Sequence, residues 1–324
     1  MSRVLLSGAA GFIGSHVAEG LVSRGDEVVG LDNFDAFYPR AIKEANLAVV
    51  RRSPRFQLVE GDIRNRDLVA GLVEGCGAVV HLAARAGVRP SLEDPALYAS
   101  VNVEGTATLL EAARRSGVRR FVFGSSSSVY GDTAPVPFSE QWPALDPISP
   151  YAATKRAGEL LCATFAGLYG LRAIALRLFT VYGPRQRPDL AIHKFTRLIT
   201  EGHPVPVYGD GSSERDYTYI SDIVAGVLAA LDWTDRAGDA GALEIVNLGE
   251  SRTTRLDALV GLISRTLGRE ARLDRLPAQP GDVRRTCADV RKATHLLGYR
   301  PATTVEEGVP RFVRWYEEVH GRQG

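Results

Sequence analysis

Residues 3–14 read RVLLSGAAGFIG, a short apolar run followed by Gly8, Gly11 and Gly14. Such a run ahead of a glycine turn predicts a buried strand over 3–7, and the apolar period that follows predicts a helix over 12–24. The next strand is expected over 27–31 and leads into Asp32. Gly8 permits a tight turn, Gly11 lets the backbone approach a pyrophosphate, and Gly14 lets strand and helix pack closely. The helix amino terminus, with Phe12 and Ile13 in its first turn, then faces the phosphates. Asp32 lies 18 residues past Gly14, where a carboxylate accepts hydrogen bonds from the adenosine ribose hydroxyls and repels a 2′-phosphate. The expected cofactor is therefore NAD rather than NADP.

Working outward, further strands are expected over 56–60, 78–82, 120–124 and 172–177, with helices between most of them, including 97–116 and 151–169. This alternation implies an α/β fold, a Rossmann-like doubly wound parallel sheet with helices on both faces. Past residue 178 the rhythm loosens into Gly/Pro-rich stretches and helices over 190–201, 222–232, 256–267, 289–297 and 305–319. The expected division is a dinucleotide-binding domain over 1–178 with a return segment near 217–247, and a smaller mixed α/β substrate domain over 179–216 and 248–324. With 39 Lys+Arg against 38 Asp+Glu, the 324-residue chain has a formal charge of +1. No global field argues for nucleic acid or a membrane surface. Cys76, Cys162 and Cys287 are far apart and lack CxxC spacing, which argues against a disulfide framework or a zinc site. No signal peptide or long apolar run is evident, so a soluble cytoplasmic protein is expected.

The second chemical signal is Tyr151-Ala-Ala-Thr-Lys155. At a spacing of four, phenol and ammonium share one helix face, and Ser149-Pro150 just ahead is a helix start. A cation about 6 Å from a phenol, at an effective dielectric near 20, favours the phenolate by about 2.8 kcal/mol. Tyr151 is thereby expected to act as a base near neutral pH. Lysine is scarce here: only Lys43, Lys155, Lys194 and Lys292 occur, so a lysine at this spacing is unlikely to be filler.

The glycine turn, Asp32, His81-Leu-Ala-Ala-Arg85, the serine run up to Tyr130 and the Tyr151/Lys155 pair occur in one order. The chain thus resembles extended short-chain dehydrogenases/reductases acting on nucleotide sugars, over essentially its whole length. The resemblance implies that Asn33, Asp62, Ile63, Leu82, Ala83, Ala84 and Asn102 join Asp32 and the glycine turn around NAD. It makes Ser126, four residues before Tyr130, the serine that orients the substrate hydroxyl beside Tyr151 and Lys155. It also implies a homodimer through the helices at 97–116 and 151–169, with Leu160, Leu161, Cys162 and Phe165 supplying apolar surface. Val207, Arg215, Gln279 and Asp282 fall where the family holds the uridine nucleotide, Arg215 clamping the pyrophosphate with its forked guanidinium. Galactose 4-epimerases often carry arginine where Gln279 stands, and Arg284 or Arg285 lies close by.

Neighbours of Ser126 separate the chemistries. The 4,6-dehydratases of this family carry Asp-Glu next, and decarboxylating members tend to carry a glutamate; this chain has Ser127-Ser128. What remains is hydride removal and return at C4 of a UDP-sugar through a transient 4-keto intermediate. Phe179 through Asp189, FTVYGPRQRPD, resembles UDP-glucuronate 4-epimerases, in which the residues aligned with Thr180 and Arg187 face the C5 carboxylate together with the serines. A 4-keto uronate is a β-keto acid and loses CO2 when its carboxylate bond aligns with the carbonyl, so the site must hold the carboxylate out of that alignment. UDP-glucose/UDP-galactose 4-epimerisation is the alternative, with Gln186 a departure from the uronate pattern. A silent NAD-binding scaffold is a third reading, and the intact Ser126, Tyr151 and Lys155 argue against it.

Overall fold

The structure, a computed structural model, describes residues 2–236, 242–277 and 285–321. Seven strands form one parallel sheet. From edge to edge they run Ala242–Leu248, Arg172–Leu178, Arg120–Ser126, Ala78–His81, Arg3–Ser7, Glu27–Asp32 and Phe56–Glu60. Val4, Leu5 and Leu6 of the central strand are all 0 % exposed, because helices cover both faces. Strand order reverses between Arg3–Ser7 and Ala78–His81, and in open α/β sheets ligands bind outside the carboxyl ends of strands at such a switch point. The edge strand Ala242–Leu248 comes from far along the chain and pairs with Arg172–Leu178.

Beyond the sheet lie three two-stranded pieces: Thr180–Tyr182 with Tyr217–Tyr219, Glu214–Arg215 with Thr254–Arg255, and Val205–Tyr208 with Leu273–Leu276. They are too short and mixed in composition to stand out by periodicity. Helices Ala191–Thr200, Leu256–Leu267 and Val305–His320 pack on them through Ile192, Leu259, Ile263 and Phe312, all 0 % exposed. No helix among the described residues is long and apolar enough to cross a membrane.

The helix expected over 97–116 is broken. It consists of Pro95–Ala99, a π-helical segment Ser100–Glu104 and Gly105–Arg115. The wide turn carries Asn102, 2 % exposed, whose Oδ1 accepts the Arg85 N–H at 2.8 Å while its Nδ2 donates to Arg85 O and Thr154 Oγ1 at 3.0 Å. A π-turn shifts one residue out of helical phase, and such turns are common at functional sites. Here it pins the chain just beyond strand Ala78–His81 to the helix bearing Tyr151.

Candidate active site

The glycine turn builds one wall of the site. Gly8 has φ +75°, and a Cβ there would lie 2.7 Å from Ala83 N; a Cβ on Gly14 would lie 2.0 Å from Gly8 O. No other residue fits either position. Helix Phe12–Ser23 starts from Gly11 with no side-chain cap, so its first amide groups are left for an anion. These glycines and Asp32 line a single cleft of about 1030 Å³. The uncapped helix end and the glycine cradle fit a dinucleotide.

Asp32 is less free than the sequence reading supposed. Its carboxylate accepts from Ala10 N–H at 3.0 Å and Phe34 N–H at 2.8 Å, and Lys43 Nζ lies 3.6 Å away. Both charged groups are buried. Asn33, Ile63, Leu82, Ala83 and Ala84 line the cleft as expected from their positions, whereas Asp62 and Asn102 are absent from its lining. Asp62 instead accepts from Arg64 and from Asn33 Nδ2, and the Arg64 hydrogen bond holds its carboxyl down at about 2.

Tyr151 and Lys155 sit on helix Pro150–Tyr169, capped by Ser149 Oγ accepting from Ala152 N–H. The phenol lines the cleft beside Ser126 and Arg187, and both act to lower its pKa. The Lys155 ammonium donates to Gly124 O at 2.7 Å and lies 5.2 Å above the Phe123 ring. This corrects the expectation that Lys155 lowers the Tyr151 pKa. Burial is the largest effect and raises it, while Ser126 and Arg187, rather than Lys155, oppose the rise. Burial also brings the Lys155 pKa down to about 8, against the pull of Glu159 one turn further on.

Glu159 anchors a network that sequence reading missed. It is 0 % exposed and accepts from Arg177 Nε and Nη2 at 2.9 Å, from Ser125 Oγ at 2.6 Å and from Arg156 Nη1 at 2.9 Å. Arg177 is 4.6 Å from the Tyr130 ring, and Tyr130 OH donates to Asn247 Oδ1 at 2.7 Å. The strand end bearing Ser125 and Ser126 is thereby tied to the helix of Tyr151. The spacing from Lys155 to Glu159 was the available signal.

Ser126, Ser127, Ser128, Thr180 and Arg187 all line the same cleft. The loop carrying Arg187 is bolted to helix Phe12–Ser23: His16 Nε2 meets Pro184 O at 3.0 Å, and Arg185, at φ +68°, pairs with Glu19 at 2.8 Å. Gln186, 1 % exposed, donates to Val181 O at 3.0 Å and accepts from His193 N–H at 3.1 Å. It closes the loop from inside. Arg187 donates Nε and Nη2 to Asp189 at 3.0 and 2.8 Å; a guanidinium has five N–H donors, so three have no acceptor among the described residues.

Arg215 lines the cleft from strand Glu214–Arg215, and Arg285 Nε pairs with Glu214 at 2.9 Å. Val207 is 2 % exposed and faces the core, while its strand neighbours Pro206 and Tyr208 line the cleft. Gln279, Asp282 and Arg284 lie outside the described residues. Cys162, expected on an apolar outer face, is 0 % exposed; Leu160, Leu168 and Tyr169 are the exposed large apolar groups of this helix, at 53 %, 67 % and 47 %.

Residues 4–249 match the NAD dependent epimerase/dehydratase family. A UDP-glucuronate 4-epimerase of Thermodesulfobacterium geofontis is 40 % identical over 98 % of this chain and 97 % of its own. The crystal structure of UDP-glucuronic acid 4-epimerase from Bacillus cereus in complex with UDP-glucuronic acid and NAD superposes with a TM-score of 0.92 at 34 % identity, covering 98 % of this chain and all (100 %) of that one. A dTDP-glucose 4,6-dehydratase from Streptomyces venezuelae, with NAD bound, reaches 0.90 at 35 % identity, over 99 % and 98 % of the two chains. Fold likeness thus does not separate epimerase from dehydratase, and the residues beside Ser126 must. With its glycine cradle, half-buried tyrosine and buried lysine, and a family match that spans them all, the chain belongs to the NAD dependent epimerase/dehydratase family.

Proposed function

We propose that the protein interconverts UDP-glucuronate and UDP-galacturonate by NAD-dependent epimerisation at C4. The observation that carries this reading is Arg187, which reaches the cleft beside Tyr151 and the serines with three N–H donors unspent. Its relatives of that activity, in sequence and in structure, support it. Ser127 and Ser128, in place of the acid pair of dehydratases, leave no extra group to expel water from the sugar.

In this reading the glycine turn, the helix amino terminus and Asp32 hold the dinucleotide. Bound NAD+ supplies a hydride acceptor for C4 and, through its nicotinamide charge, a field that favours the Tyr151 phenolate. Ser126 orients the C4 hydroxyl, and Tyr151 Oη takes its proton on the outward step and gives it back on return. The buried Lys155 ammonium, fixed on Gly124 O, stands one helical turn past Tyr151 to meet the nicotinamide ribose. Ser127, Ser128, Thr180 and Arg187 hold the carboxylate out of line with the C4 carbonyl, which prevents loss of CO2. Arg215, with Gln279 and Asp282, receives the uridine nucleotide, and the chain divides into a dinucleotide-binding part over 1–178, with a return segment near 217–247, and a substrate part over 179–216 and 248–324. Incubation with UDP-glucuronate and UDP-galactose separately, with products read by NMR, tests the assignment: conversion of the uronate supports it, and conversion of the neutral sugar alone replaces it with the hexose epimerase.

Two further results follow. NAD stays bound through turnover, because each cycle regenerates it; denaturation is expected to release nicotinamide nucleotide at about one per chain. A preparation that needs stoichiometric NADPH would contradict both Asp32 and the mechanism. The exposed Leu160, Leu168 and Tyr169 on helix Pro150–Tyr169 are covered by a second copy of the chain. Light scattering at micromolar concentration is expected to give a dimer, and a monomer would exclude it.

A further inference from the structure

The loop between Asp32 and helix Arg40–Asn46 is built from consecutive side-chain-to-backbone hydrogen bonds: Asp32 Oδ1 accepts from Phe34 N–H at 2.8 Å, Asn33 Oδ1 from Asp35 N–H at 3.0 Å, and Asp35 Oδ1 from Phe37 N–H at 2.8 Å. The Asp35 carboxylate also accepts from Arg85 Nη1. One acid thus fixes the Phe37 backbone and a cleft arginine together. The Phe37 ring, which lines the cleft, carries two guanidiniums: the Arg85 and Arg187 carbons each lie 5.1 Å from its centroid. Arg85 Nε is buried with no hydrogen-bond partner among the described residues, although its residue also lines the cleft.

An aromatic face is an unusual support for a cation. It attracts the charge through its quadrupole yet accepts none of the N–H donors and neutralises nothing, whereas Asp189 takes two donors and one charge. An arginine resting on a ring keeps its remaining donors for an incoming anion and has already lost rotamer freedom. We propose that Phe37 is a specificity-determining positioning residue: it holds Arg187, with Arg85 as a second cation, aimed at the sugar end of the cleft, so that a sugar bearing a carboxylate is preferred to a neutral one. This rests on the carboxylate reading above. It also joins the loop that begins at Asp32 to the residue that reads the sugar.

The test uses NAD-loaded protein in a Tyr151→Phe background, so that bound sugar is not turned over. Calorimetry with UDP-glucuronate and UDP-glucose gives a binding ratio for the parent, Phe37→Leu, Phe37→Tyr, Arg187→Ala and the Phe37→Leu/Arg187→Ala double variant. Leucine keeps the apolar bulk and removes the quadrupole, and is expected to lower the uronate preference about 3- to 30-fold. Tyrosine, which keeps the ring, restores it. With Arg187 already removed, the leucine change is expected to shift the ratio clearly less than it does in the parent, because only the Arg85 contact is then left to lose. Equal weakening of both sugars by Phe37→Leu, or a full additional loss on top of Arg187→Ala, overturns the proposal. A preference that falls as expected in protein whose Tyr151 form does not turn over UDP-glucuronate keeps Phe37 as a carboxylate reader and sinks the epimerase assignment alone.

Discussion

Tyr151→Phe is expected to lower turnover of UDP-glucuronate at least about 100-fold, the scale of general acid-base catalysis, while nucleotide-sugar binding survives. The change removes one oxygen from a half-buried ring whose edge-on packing against Tyr98 at 6.3 Å is kept. The loss therefore reads chemistry rather than folding. Lys155→Met is expected to cripple turnover too and to weaken NAD retention, since its ammonium sits at the carboxyl end of strand Arg120–Ser126 on Gly124 O. Stopped-assay kinetics with both variants decide the point. Near-normal turnover in Tyr151→Phe would mean that another group carries the proton.

Arg187→Ala is expected to weaken productive use of UDP-glucuronate by roughly 10- to 150-fold, since a charge-assisted hydrogen bond contributes about 1.5–3 kcal/mol. Asp189 already neutralises part of the guanidinium charge, which places the effect toward the lower end. A second consequence is qualitative: with the carboxylate less restrained, some 4-keto intermediate is expected to lose CO2 and appear as a pentose product by NMR. A neutral hexose offers Arg187 no anion and should be affected little. If UDP-galactose and UDP-glucuronate suffer equally, Arg187 holds a phosphate or the loop instead.

The sheet was legible because its strands are continuous apolar runs between turn residues, and the glycine turn with Asp32 fixed which crevice would bind. What escaped the sequence was geometry decided by tertiary contacts. Nothing local marks Asn102 as the centre of a π-turn; its place follows from the need to hold Arg85. Phe37 has no periodicity, since its loop is shaped by three successive polar side chains. Other side-chain placements had a signal. In the strand Val205–Tyr208 a period of two puts Val207 on the side of Val205, away from Pro206 and Tyr208. On helix Pro150–Tyr169, Lys155, Glu159, Cys162 and Ala166 repeat at helical spacing and form the buried stripe, which assigns Cys162 to the core. The Tyr151 field was misjudged because spacing along a helix does not reveal that Lys155 points to Gly124 or that burial outweighs a nearby cation.

In the proposed cycle the hydrogen removed from C4 goes back to C4 within one bound state. UDP-glucuronate deuterated at C4 tests it most directly. After conversion in ordinary water, the product is expected to retain the label at C4 with its configuration inverted, and the reverse experiment in heavy water should place no deuterium on carbon. Loss of the label to solvent, or solvent deuterium appearing at C5, would contradict the account.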